Sequence, residues 1–102
     1  MNSMAEYKVL GSDNKLLKTD VALHPGEILA DELSAREILK KDFAATINLQ
    51  PTHLSDLLKG KRHVSAKLAL QLEKQLGIDA GFWLRVQVTY DLFMAKKELE
   101  IA

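Results

Sequence analysis

From residue 24 onward the hydrophobic positions recur at helical spacing. Ile28, Leu29 and Leu33 share one side of a helix, as do Phe43, Ala44 and Ile47, then Leu54, Leu57 and Leu58. Leu68, Leu72 and Leu76 follow four apart. Phe82, Val86, Tyr90 and Phe93 make a last stripe with Trp83 and Leu84 beside it. The residues between these stripes are helix punctuation. His24-Pro25-Gly26-Glu27 opens helix 1, with Pro25 at an early position and Glu27 and Asp31 near the positive end; this helix ends near Arg36. Helix 2 is predicted over Lys40–Ile47 and helix 3 over Pro51–Lys59, with Gly60 as its left-handed cap. Ser65 caps helix 4, which Gly77 closes, and Asp79 caps helix 5, running from Ala80 into the nineties. Five helices with short connections predict an all-α domain.

Helices 2 and 3 are joined only by Asn48-Leu49-Gln50. Asn tolerates the left-handed backbone that a sharp turn demands. Pro51 then suits the first position of a new helix, where a missing N–H is no loss. The pattern is that of a helix-turn-helix, whose second helix can enter a DNA major groove. Residues 1–22 are read as an N-terminal arm, either flexible or a small hairpin of Tyr7–Leu10 and Lys15–Lys18 about the turn formers Gly11-Ser12-Asp13-Asn14. Residues 23–95 form the domain and 96–102 a polar tail.

The formal net charge is zero, which by itself disfavours nucleic acid. The distribution changes that picture. Between Ala35 and Lys67 seven cations (Arg36, Lys40, Lys41, Lys59, Lys61, Arg62, Lys67) face three acids (Glu37, Asp42, Asp56), a net of +4, while Glu27, Asp31 and Glu32 place −3 just before. Excess positive charge on the helix-turn-helix steers a phosphate backbone to one face. The chain has no cysteine, so disulfides and thiolate metal sites are excluded; a reducing, cytoplasmic setting is expected. No signal peptide and no membrane span are expected. His24, His53 and His63 lack ligand spacing, so no metal or cofactor is expected; His24 is read as capping or packing at helix 1. There is no Cys nucleophile, Gly-rich phosphate loop or HExxH, and the protein is not expected to be an enzyme.

Longer motifs carry a resemblance. His24-Pro25-Gly26-Glu27-Ile28-Leu29 resembles the HPGEIL opening of HigA-type antitoxins, a branch of the lambda-repressor-like (XRE) helix-turn-helix proteins. Leu57-Leu58-Lys59-Gly60-Lys61-Arg62 is similar to the LLNGKR that ends their recognition helix. Ala69-Leu70 with Leu76-Gly77 matches the next helix, and Phe82-Trp83-Leu84, Gln87 and Tyr90-Asp91-Leu92 match the pattern FWLxxQxxYDL. The resemblance covers about residues 23–93. It implies a five-helix lambda-repressor-like domain that dimerises, represses its own operon at operator DNA, and neutralises a small RelE-like ribonuclease toxin. The chain departs from the family at Asn48, where glycine is usual, at Leu39-Lys40, where Ser-Gln is common, and at Pro51, where many relatives carry a polar or basic residue.

Candidate contacts follow. Gln50, Thr52, His53, Ser55 and Asp56 lie at or near the start of helix 3, with side chains suited to base edges; the family pattern favours Thr52 and Ser55. Lys40, Lys41, Lys59, Lys61 and Arg62 flank it as phosphate contacts. The resemblance places the dimer interface on helix 5, among Val86, Val88, Tyr90, Leu92 and Phe93. The toxin is expected on another surface that includes the N-terminal arm. Two other readings share these residues: a repressor with no toxin partner, and a partner-binding module that has lost DNA binding.

Overall fold

The computed structural model describes residues 22–101, and the arm or hairpin expected within 1–22 lies, but for Ala22, outside them. Five helices follow in order: α1 (Pro25–Ala35), α2 (Lys40–Thr46), α3 (Pro51–Leu58), α4 (Ala66–Leu76) and α5 (Ala80–Ile101). No strand occurs among the described residues. The expected starts hold, and Ile47 and Lys59, expected inside α2 and α3, are instead their C-caps. α5 runs on to Ile101, through most of the segment read as a polar tail, with every side chain from Met94 to Glu100 exposed.

The caps are built from local chemistry. The His24 ring accepts the Gly26 N–H at Nδ1 (2.9 Å), and Glu27 reaches back to the His24 N–H (3.5 Å), closing a capping box on α1. The Ser65 hydroxyl accepts the Leu68 N–H and the Asp79 carboxylate the Phe82 N–H, as expected. At the other ends, α1, α2 and α3 close with the same paired bonds. Ile38, Leu49 and Lys61 donate to Leu33, Ala44 and Asp56, while Glu37, Asn48 and Gly60 donate to Ser34, Ala45 and Leu57, all at 2.8–3.2 Å. This Schellman closure needs a left-handed residue, which is Glu37 (φ 58°), Asn48 (54°) or Gly60 (80°). Asn48 and Gly60 were legible as such; Glu37 was not.

One core joins the helices. Leu29 and Leu33 of α1, Phe43 and Ala44 of α2 with Ile47 beside them, Leu54 and Leu57 of α3, Ala69, Leu72 and Leu76 of α4, Val64 and Trp83 are all buried. α1 and α2 pack on α3, and α4 packs on α5. The closest approach is at Gly26, where an added Cβ would stand 1.8 Å from the Leu57 carbonyl oxygen. That glycine therefore lets the start of α1 lie directly on the last turn of α3. The inward line of α5 differs from the expected stripe. Trp83 and Gln87 are its buried residues, whereas Phe82, Val86, Tyr90 and Phe93 are half-buried on its flanks. In α4 the half-buried Leu68 yields its place to Ala69, which lines up with Leu72 and Leu76.

Candidate nucleic-acid interface

α3 is amphipathic in a way that fixes which residues face outward. Leu54 and Leu57 are each 1% exposed, and burying each stabilises the domain by about 2 kcal/mol. At 100° per residue, that inward pair turns Thr52, Ser55, Asp56 and Lys59 to the opposite side. Thr52 and Lys59 are exposed, and Ser55 and Asp56 half-buried. His53 is half-buried toward one flank. Gln50 is the N-cap, exposed, with its side chain making no cap bond and so free for another partner. Pro51 occupies the first turn as expected.

The cations fall into two groups. Arg62 and His63 line a groove of roughly 300 Å³ with Asn48, Leu49, Ser65, Lys67, Leu68 and Gln71, which sets them beside the turn before α3. Lys61 precedes them, exposed, and Lys59 is exposed at the end of α3. Lys40 and Lys41 belong elsewhere: exposed at the start of α2, they rim a groove of about 540 Å³ floored by Ala30, Leu33, Ile38 and Leu39. Among the described residues Arg36 pairs with Glu32 (3.0 Å) and His63 Nε2 lies 3.4 Å from Asp91, and neither contact involves Lys40, Lys41, Lys59, Lys61 or Arg62.

Two glutamines missed as site residues in the sequence hold the segments on either side of α3. Gln71 of α4 donates its amide to the Ile47 carbonyl (3.2 Å) at the turn before it. Gln87 of α5, 5% exposed, accepts the Val64 N–H (2.7 Å) in the loop after it and donates to Asp91 (2.9 Å). A signal for Gln87 was present: a polar residue at i+4 from Trp83 on a core-facing helix. Lys67, lining the same groove as Arg62, was also passed over as a contact.

Of the five residues placed at a dimer interface, Val88 (54% exposed) and Leu92 (66%) face away from the subunit. Val86 and Phe93 are half-buried, and the Lys97 ammonium sits over the Phe93 ring at 5.7 Å. Tyr90 is used inside the subunit, meeting the His24 ring edge-on at 4.7 Å. His24, 3% exposed, therefore touches α1, α5 and Gly60 after α3. Burial pushes its pKa below the usual 6.5, and His63 nearby adds to this, while Glu27 and Asp91 oppose it.

Residues 33–83, from the last turn of α1 to the start of α5, match the helix-turn-helix family model. The chain belongs to the XRE-type helix-turn-helix family. Within it the likeness is to the HigA-type branch. An addiction module antidote protein of the HigA family from Coxiella burnetii is 36% identical, with a TM-score of 0.69 over 74% of this chain and 84% of that one. The Pseudomonas aeruginosa antitoxin HigA, solved with the higBA promoter, is 30% identical with a TM-score of 0.72, over 76% and 86%. Virulence-associated protein I of Dichelobacter nodosus is 35% identical over 78 residues, 76% of this chain and 72% of that protein. This helix-turn-helix protein thus has the five-helix lambda-repressor-like fold of antitoxin-type DNA-binding repressors. None of its described helices is long and apolar enough to cross a membrane.

Proposed function

We propose that this helix-turn-helix protein is the antitoxin of a type II pair, which represses its own operon by binding operator DNA as a dimer and neutralises a RelE-like ribonuclease toxin. The observation that carries the DNA half is the row Thr52, Ser55, Asp56 and Lys59 on a helix seated by Leu54 and Leu57, with exposed cations on its flanks. In this reading α3 enters the major groove. Thr52 and Ser55 read base edges, Gln50 reaches phosphate or base, and Asp56 accepts from a cytosine amine. Lys59, Lys61 and Arg62 on one side and Lys40 and Lys41 on the other hold phosphates. The promoter complex of the Pseudomonas aeruginosa HigA supports the same docking here.

The dimer forms through the outward stripe of α5, Val88 and Leu92 with the half-buried Val86 and Phe93 at its sides. A twofold axis there sets two copies of α3 about one DNA turn apart. The test is a titration of the full chain with the duplex upstream of its own gene at several salt concentrations. Tight, sequence-dependent binding with a marked negative salt slope is expected; a protein indifferent to that duplex refutes the reading. For the toxin half, the product of an adjacent small ribonuclease-like frame should bind the full chain and lose activity. Deletion of residues 1–22 that left this binding intact would remove the arm from the toxin contact.

A further inference from the structure

The loop from α3 to α4 is pinned at both ends by backbone hydrogen bonds. At its start the Lys61 N–H donates to the Asp56 carbonyl (2.8 Å), completing the closure of α3. At its end the Val64 side chain is buried, 3% exposed, and its N–H goes to the Gln87 amide oxygen (2.7 Å). Only Lys61, Arg62 and His63 lie between these pins. The Gln87 nitrogen donates to Asp91 Oδ1 (2.9 Å), the same oxygen that His63 Nε2 approaches at 3.4 Å. The position asks for an acceptor toward a backbone N–H and a donor toward a carboxylate at once. A primary amide supplies both without charge; a carboxylate lacks the donor and an aliphatic chain lacks both.

We propose that Gln87, from α5, is a positioning residue for DNA binding: by tying Val64 to α5 it holds the Lys61–His63 bridge in the shape that presents Lys61 and Arg62 to phosphates. This inference rests on the DNA-binding reading above. Gln87 touches no nucleic acid itself. Its effect reaches DNA through the loop, and so it falls on the sequence-independent part of the affinity.

The experiment uses the full chain, the duplex upstream of its gene and a scrambled duplex, titrated over a series of KCl concentrations. Gln87→Leu leaves the Val64 N–H buried without an acceptor. It is expected to weaken both duplexes together, roughly tenfold or more, and to lower the salt slope by about 1–2, the share of two phosphate contacts. The Val64 amide should exchange with solvent at least about tenfold faster. Gln87→Glu separates positioning from a simple loss of folding, and it decides the matter if the leucine variant does not fold. Near neutral pH its carboxylate can still accept the Val64 N–H but has no proton for Asp91 and repels it, so a smaller defect in the same direction is expected. As the pH is lowered the introduced carboxyl, its neutral form favoured by burial and by Asp91, regains a proton and the donor–acceptor pair, and the deficit relative to wild type at the same pH should shrink. A folded Gln87→Leu with the wild-type salt slope or an unchanged Val64 exchange rate, or a Gln87→Glu whose deficit is equal at neutral and at lowered pH, would overturn the proposal. A wild type that binds neither duplex overturns the DNA-binding reading instead; a wild type that binds while the variants match its slope overturns only the role of Gln87.

Discussion

Gly26→Ala tests whether the seat of α3 on α1 is as tight as its geometry indicates. The new Cβ would lie 1.8 Å from the Leu57 oxygen, 2.9 Å from its carbonyl carbon and 3.2 Å from His24 Nδ1. A carbon and a carbonyl oxygen rest at roughly 3.3 Å or more, so about 1.5 Å of separation has to be found. No flexible side chain can give way, because Leu57 O belongs to the main chain of α3. Moving it opens the bond it accepts from Gly60 N–H (3.0 Å), and moving Gly26 opens the bond to His24 (2.9 Å). Overpacking costs about 1–3 kcal/mol, and a lost cap adds about 1. The better helix propensity of alanine offsets up to about 1 kcal/mol. The net is about 1–4 kcal/mol, a large part of a stability of roughly 5–10. For a domain of this size that lowers the melting temperature by roughly 5–30 °C. Trp83, the single tryptophan and fully buried, reports unfolding by fluorescence beside far-UV dichroism. Gly77→Ala is the control. Gly77 has φ +75° but nothing within 4 Å of an added Cβ, so alanine there meets only the strain of the left-handed backbone, about 1 kcal/mol. If Gly26→Ala melts no lower than Gly77→Ala, the contact between α1 and α3 is not tight and the reasoning fails.

Other substitutions probe separate links. Thr52→Ala should weaken operator binding by about 1–3 kcal/mol while scrambled DNA is bound as before, whereas Arg62→Ala should weaken both and lower the salt slope by about 0.9; like behaviour of the two in anisotropy titrations would refute the division into reading and anchoring residues. Glu37, exposed at φ 58°, should gain stability on Glu37→Gly, by about 0.5–1 kcal/mol in urea unfolding, and an unchanged or lower midpoint would count against backbone strain there. His24 must be neutral in the fold, because its Nδ1 accepts the Gly26 N–H. Its folded pKa lies below the unfolded 6.5, chiefly through burial, so the unfolded chain takes up the proton first. Stability is therefore whole above about pH 6.5 and falls as pH drops below it toward the lower folded pKa, by at most about 1.4 kcal/mol per pH unit. His24→Asn keeps an N-cap acceptor and should flatten that decline; an equal decline in the variant assigns it to other groups.

What the sequence made legible, and what it hid, divide along physical lines. Helix starts and stops were readable because they are set by one or two residues with a local mechanism: Pro51, Ser65, Asp79, Gly60 and Gly77 each act within one turn of their own position. The turn at Asn48 was readable for the same reason, since few residues adopt φ near 54° at modest cost. Glu37 was hidden because its left-handed backbone is imposed by closure of α1 against the core through Ile38 and Leu33, not by its own preference. The outward row of α3 followed from the inward leucines alone. The placement of the turn and loop on either side of it did not, because it depends on partners far along the chain. Gln71 and Gln87 lie 24 and 23 residues from the backbone groups they bind. Periodicity marks Gln87 only as a polar intruder on an apolar face. The same separation gives these residues their effect. The reading helix is held by its own leucines, but the segments that carry its turn and its cations are fastened from α4 and α5. Under the proposed function, operator choice varies through Thr52 and its neighbours while the anchoring geometry stays with residues outside the helix-turn-helix pair.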